Sequence, residues 1–148
     1  GAISFERELS HTSIYLELEQ IRFEDALQVA YDISCTDFKI PTLTLEPLVE
    51  NAVRHGVREN EDGRGTVTIS TREFSDYLEV SVMDDGPGFD PEAVPADGYP
   101  HIGLQNVRER LMQVCGGTLK IESAIGYGTT ATIILPKKRD GVEYDGRI

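Results

Sequence analysis

Leu78-Glu79-Val80-Ser81-Val82-Met83-Asp84-Asp85-Gly86-Pro87-Gly88 is the stretch on which the reading of this chain turns. Leu78, Val80 and Val82 alternate with polar neighbours, the period of a half-buried strand. The strand delivers a carboxylate, Asp84, at its end, and two glycines then open a loop. Asp-Gly and Gly-Pro pairs punctuate turns in many folds, so the motif gains meaning from its company along the chain. Upstream stands Glu50-Asn51-Ala52-Val53-Arg54-His55-Gly56; downstream stand Ile102-Gly103-Leu104 and Gly126-Tyr127-Gly128-Thr129. Four ordered elements of this kind can form a nucleotide pocket.

Working outward, the spacing of Phe5, Leu9, Tyr15, Leu16 and Ile21 predicts a helix from about Ser4 to Phe23, and alternation from Leu27 to Ile33 predicts a strand. After Pro41, Thr44 is a candidate N-cap for a helix carrying Leu45, Leu48, Val49 and Ala52. Pro47 falls in its first turn, where a missing N–H is harmless, and Gly56 is expected to end it. Val67 and Ile69 begin a strand that pairs with residues 78–82 through Phe74-Ser75-Asp76. Residues 86–102 are crowded with glycine and proline, and an irregular segment this long inside a compact domain reads as a lid. Leu104, Val107, Leu111 and Val114 mark a second amphipathic helix closed by Gly116-Gly117. Leu119 and Ile121, then Ala131, Ile133 and Leu135, form two strands around the Gly126 turn. The tail, 137–148, has mixed charge and reads as frayed. This order predicts a two-layer α/β (α+β) sandwich, a mixed and mostly antiparallel sheet with helices on one face.

At 148 residues the chain is one domain's worth, enough to bury roughly 68–70% of its unfolded surface. Its 14 basic and 26 acidic residues give a net charge of −12, which argues against sequence-independent nucleic-acid binding. A nucleotide ligand needs only a few local cations and backbone N–H groups. Cys35 and Cys115 lie far apart with no metal-ligand spacing and read as reduced core residues of a cytosolic domain. These residues hold no 18-residue apolar run and no basic n-region followed by an apolar h-region. A first residue Gly1 rather than Met suggests a piece of a longer protein.

Asn51, Arg54 and His55 stand at i, i+3 and i+4, so they share one helix face. An Asn oxygen is a suitable neutral ligand for Mg²⁺, which takes its remaining oxygens from phosphates and water. Arg54 supplies a permanent positive charge suited to phosphate, and His55 a flat ring that can stack on a base. Asp84 can accept from an exocyclic amine, which adenine carries where guanine carries an oxygen. Gly86 and Gly88 let the backbone approach a ring closely. Gly103 opens a helix whose N-terminal N–H groups suit phosphate.

Taken together, these residues resemble the ATP-binding boxes of the GHKL (Bergerat-fold) superfamily, specifically the catalytic domain of sensor histidine kinases. Residues 45–56, Leu-Glu-Pro-Leu-Val-Glu-Asn-Ala-Val-Arg-His-Gly, and residues 103–111 followed by Gly116-Gly117 resemble the LytS/YehU-type subfamily. The match runs from about Phe23 to Pro136. It implies ATP and Mg²⁺ as ligands, with Asn51 on the metal, Arg54 near the phosphates, His55 near the base and Asp84 reading the adenine amine. Gly86, Gly88, Gly103 and Leu104 would shape the pocket, Thr129 would lie near the adenine end, and Glu50 would orient or deprotonate the acceptor. Residues 1–23 would join a dimerisation and phospho-acceptor region, residues 24–136 would form the catalytic domain, and 86–102 its ATP lid. The resemblance further implies a homodimer, a response regulator as partner, and the cytoplasmic side of a membrane-bound bacterial sensor.

Three departures qualify the resemblance. Gyrase- and MutL-like ATPases carry a hydrolytic Glu four residues before the Mg²⁺ asparagine, where this chain has Pro47. His101-Ile102-Gly103 stands where Gly-x-Gly is common. His11 lacks the surroundings of the subfamily's acceptor histidine, so the acceptor is expected upstream. A serine kinase of the anti-sigma type, a degenerate nucleotide-binding or dimerisation module, and a stand-alone ATPase remain as alternatives.

Overall fold

The period-2 run ending in Asp84 is a central strand of a five-stranded sheet. The computed structural model describes residues 1–93, 102–139 and 142–143. In chain order its principal elements are β1 (Ala2–Ser4), α1 (Phe5–Phe23), β2 (Leu27–Ile33), β3 (Lys39–Pro41), α2 (Leu45–Asn51), β4 (Gly65–Glu73), β5 (Tyr77–Asp84), α3 (Ile102–Cys115), β6 (Thr118–Ala124), β7 (Gly128–Pro136), β8 (Lys138–Arg139) and β9 (Val142–Glu143). The main sheet runs β2-β4-β5-β7-β6. Only β2 and β4 pair in parallel; the other three pairings are antiparallel, and two of them, β4–β5 and β6–β7, are hairpins.

The register sets up the core. Ile69, Val82, Ala131 and Ile121 lie opposite one another across four strands, and Thr71, Val80, Ile133 and Leu119 form the next row. These rows meet Phe5, Leu16, Leu48, Val49, Leu104, Val107 and Leu111 of the helical layer in one buried cluster. Alternate residues point the other way, among them Ser81 and Thr132, whose hydroxyls lie 3.2 Å apart.

Ser4 caps α1, its hydroxyl accepting from the Arg7 N–H at 3.3 Å. The buried face of α1 is Phe5, Glu8, Thr12 and Leu16. Ile21, expected on that stripe, is 75% exposed. Five residues beyond Leu16 it lies about 140° around the helix, off the buried stripe. Glu8 is buried, and its carboxylate accepts from the Leu43 N–H at 3.0 Å. Burial holds its pKa above the usual carboxylate range, against the hydrogen bonds from the Leu43 and Thr44 backbone. Leu43 takes a left-handed φ of 62°, so this bond fixes the chain at the turn that leads into α2. Thr44 stands at the N-cap as expected, but its hydroxyl donates back to the Pro41 carbonyl at 2.7 Å and caps nothing.

The helical run does stop at Gly56, as the sequence suggested, but its last turn is not α-helical. A π turn (Ala52–Gly56) extends α2, and a 3₁₀ turn (Val57–Glu59) follows. Two further elements were not foreseen: the β1–β3 pair, and the β8–β9 pair where the tail was expected to fray. Residues 86–90 are irregular as expected, and a 3₁₀ turn (Pro91–Ala93) follows. Residues 94–101 of the expected lid, including His101, lie outside the described residues.

Candidate nucleotide site

Asn51 is the last residue of α2, where the helix loosens into its π turn. The Val57 N–H there reaches back to the Ala52 and Val53 carbonyls. Such turns are rare and concentrate at functional sites. Ala52, Val53 and Gly56 face the core while Arg54 and His55 are exposed. Glu50, Asn51, Arg54 and His55 line a pocket of about 150 Å³ with Pro47, and Gly103 and Leu104 of α3 complete it. A β-carbon at Gly103 would meet no atom within 4 Å, so the start of α3 is open to the pocket. Leu104 is 3% exposed and belongs mainly to the core. His55 Nδ1 also stands 3.8 Å from Glu59 Oε1.

The other expected residues gather at the end of the sheet rather than in that pocket. Val67, Asp84, Thr129 and Ser123 form one cross-strand row over β4, β5, β7 and β6. Asp84 is 9% exposed, and its Oδ1 accepts from the Gly86 N–H at 2.9 Å. Burial raises its pKa from 3.8 to about 6, with the Asp85 charge adding and the Gly86 and Thr129 backbones opposing. Among the described residues it is a carboxylate held ready to change charge near neutrality.

Gly56 joins the two clusters. Its α-carbon lies against Asp84, where a β-carbon would fall 2.5 Å from Cγ. Gly86 in turn lies on Gly56, and a β-carbon there would fall 2.5 Å from the Gly56 carbonyl. The sequence reading assigned Gly86 and Gly88 to the approach of a ring; here they admit the protein's own backbone. Gly88, at φ 68°, sits where a β-carbon would fall 2.1 Å from the Ala124 carbonyl oxygen. The role of Gly56 was missed because a glycine after a helical run reads as a stop. Ser123, hydrogen-bonded to Thr129, was missed because a lone serine in a strand carries no motif.

The described residues contain no helix long and apolar enough to cross a membrane. The family described as histidine kinase-, DNA gyrase B- and HSP90-like ATPase matches residues 37–139. The chain belongs to this ATPase family. Its match begins just before the pocket helix and ends past β7, so it takes in both site clusters. The sensor histidine kinase YpdA of Escherichia coli is 38% identical over 149 residues, covering 95% of this chain and 26% of that protein. The sensor protein LytS of Staphylococcus epidermidis is 30% identical over 156 residues, covering 97% of this chain and 26% of that protein. The histidine kinase domain of a blue-light-activated kinase from Erythrobacter litoralis superposes with a TM-score of 0.65 at 25% identity, covering 84% of this chain and 58% of that one. The chain therefore spans about a quarter of the length of these two curated relatives. Its fold and family are those of a histidine kinase ATP-binding domain, and the family implies ATP as the nucleotide.

Proposed function

We propose that this domain binds Mg·ATP across the two clusters and presents the γ-phosphate to a histidine outside these 148 residues. The observation that carries the reading is the convergence of Glu50, Asn51, Arg54, His55 and Gly103 on one pocket, with Asp84 joined to it through Gly56. The adenine amine would donate to Asp84. Arg54 and the N–H groups at the start of α3 would hold the phosphates. Asn51 lines the pocket with a neutral side-chain oxygen, which fits a Mg²⁺ site that takes few protein ligands and fills the rest from phosphates and water. Bound there, the ion would neutralise charge on the transferring phosphoryl group.

Glu50, which lines the pocket, would orient or deprotonate the incoming imidazole. The imidazole nitrogen bonds to the γ-phosphorus as the bond to the ADP oxygen breaks, and ADP leaves. A response-regulator aspartate would then take the phosphoryl group. In support, a structural neighbour sharing the fold at 16% identity is a histidine kinase in complex with a response regulator. We place the domain in a membrane-bound sensor that acts as a homodimer, with α1 leading to the dimerisation region. The test is to incubate the full-length protein with labelled ATP and Mg²⁺. Acid-labile, base-stable phosphate that is lost in Asn51→Ala is the expected result; acid-stable phosphoserine would move the assignment to a serine kinase.

A further inference from the structure

One hydroxyl at the base end of the sheet serves three partners. Ser123 Oγ accepts from the Phe89 N–H at 2.9 Å, donates to the Gly128 carbonyl at 3.0 Å, and lies 2.8 Å from Thr129 Oγ1. A hydroxyl has one proton and two acceptor lone pairs. An amide N–H can only donate and a carbonyl can only accept, so Ser123 spends its proton on Gly128 and one lone pair on Phe89. Its contact with Thr129 can then be met in one way, with the Thr129 O–H donating into the second lone pair. The Thr129 proton is thereby committed, and its oxygen offers only lone pairs to anything else nearby. Thr129 is the cross-strand partner of Asp84, itself an acceptor.

The same serine reaches the root of the lid. Phe89 is bound through its N–H, the Pro87 carbonyl accepts from the Gly126 N–H at 2.7 Å, and Gly88 rests on the Ala124 carbonyl. Residues 87–89 are thus bolted to the β6–β7 hairpin.

We propose that Ser123 is a specificity-positioning residue: it fixes the Thr129 hydroxyl as an acceptor beside Asp84 and ties that orientation to the root of the lid. With both acceptors turned to the exocyclic position, one for each N–H of a 6-amino group, they complement that amine and oppose a 6-oxo group, so Ser123 biases the site toward the 6-amino purine. This rests on the reading above that the base lies against Asp84. Without Ser123, Thr129 regains a free proton and can donate to a carbonyl.

The experiment measures Mg·ATP and Mg·GTP affinities by calorimetry for the wild type, Ser123→Ala, Ser123→Thr, Thr129→Val and Asp84→Asn. Ser123→Ala is expected to reduce the ATP-over-GTP preference at least fivefold, and Ser123→Thr, which keeps the hydroxyl, to stay within twofold of wild type. Adding Ser123→Ala to Thr129→Val should change the preference no further. Exchange of the Phe89 amide should rise at least tenfold in Ser123→Ala, and Ser123→Cys gives the same readouts should alanine unfold the hairpin. A preference that collapses in Asp84→Asn but is untouched in Ser123→Ala overturns the proposal and leaves the base assignment standing. A preference untouched in Asp84→Asn overturns the base assignment and this proposal with it.

Discussion

The Gly56 α-carbon rests on the Asp84 carboxylate, so close that a β-carbon at position 56 would lie within 2.7 Å of all three carboxyl heavy atoms. This contact couples the π turn, which carries Arg54 and His55, to the strand end that carries the buried acid. Gly86 closes the arrangement from the other side by lying on Gly56.

Gly56→Ala should therefore harm both stability and binding. The clash of an added β-carbon with the Asp84 carboxylate carries the penalty. Overpacking of this kind costs about 1–3 kcal/mol. Thermal melting should show that loss, and calorimetry should show ATP affinity falling further than melting alone would suggest. Unchanged affinity in a folded Gly56→Ala protein would mean that the contact is structural filler.

Asp84 makes the domain's stability fall as pH rises. Its folded pKa of about 6 lies above the ordinary 3.8, so the folded state favours the protonated acid. The stabilisation is complete below pH 3.8 and is lost as pH rises through about 6, at most about 3 kcal/mol. Asp84→Asn carries no charge to desolvate and keeps an oxygen for the Gly86 N–H. It should raise the nucleotide-free melting temperature at pH 7 while weakening ATP binding by roughly 1.5–3 kcal/mol, the worth of a hydrogen bond to a charged group. In the wild type, ATP affinity should decline as pH falls through about 6. Matched pH series of melting and titration check both signs; a destabilised Asp84→Asn would assign the carboxylate to the fold instead.

The strands and helices were legible because apolar residues kept a clean period: Leu78, Val80 and Val82 for β5, and Leu104, Val107 and Leu111 for α3 all proved buried. Ile21 was misplaced because α1 carries apolar residues on two faces, and composition does not say which face the sheet covers. The pocket residues on α2 and α3 were legible from motif order, and the structure brings them together. The π turn was not, since it is a backbone choice with no side-chain signature. Nor was the Gly56–Gly86 contact, which joins residues 30 positions apart through close approach alone. β1 and β3 are three residues each, too short to carry a period.

Asn51→Ala should remove the Mg²⁺ dependence of ATP affinity and leave melting nearly unchanged. Asn51 is only half-buried and ends α2 without a side-chain capping bond. Substitutions outside such features usually stay within about 0.5 kcal/mol. Calorimetry with and without Mg²⁺, alongside melting, separates the two effects. A large melting loss with the metal dependence intact would assign Asn51 to the fold.

The last expectation concerns what the domain does with ATP when no acceptor is supplied. Pro47 lines the pocket at the place where gyrase-like relatives carry their hydrolytic carboxylate, and its ring can neither take nor give a proton. Glu50 reaches the same pocket but is the direct sequence neighbour of Asn51, about 100° around the helix from it rather than stacked one turn below. A positioned general base contributes typically 10²–10⁴-fold, so these 148 residues alone should hydrolyse ATP very slowly and acquire no phosphate. Adding the acceptor segment of the full-length protein, in cis or in trans, should restore transfer, read as acid-labile phosphate on protein with one ADP released per phosphate gained. Fast multiple turnover by the domain alone, with no phosphoprotein when the acceptor is restored, would make it an ATPase and return the search for the base to Glu50.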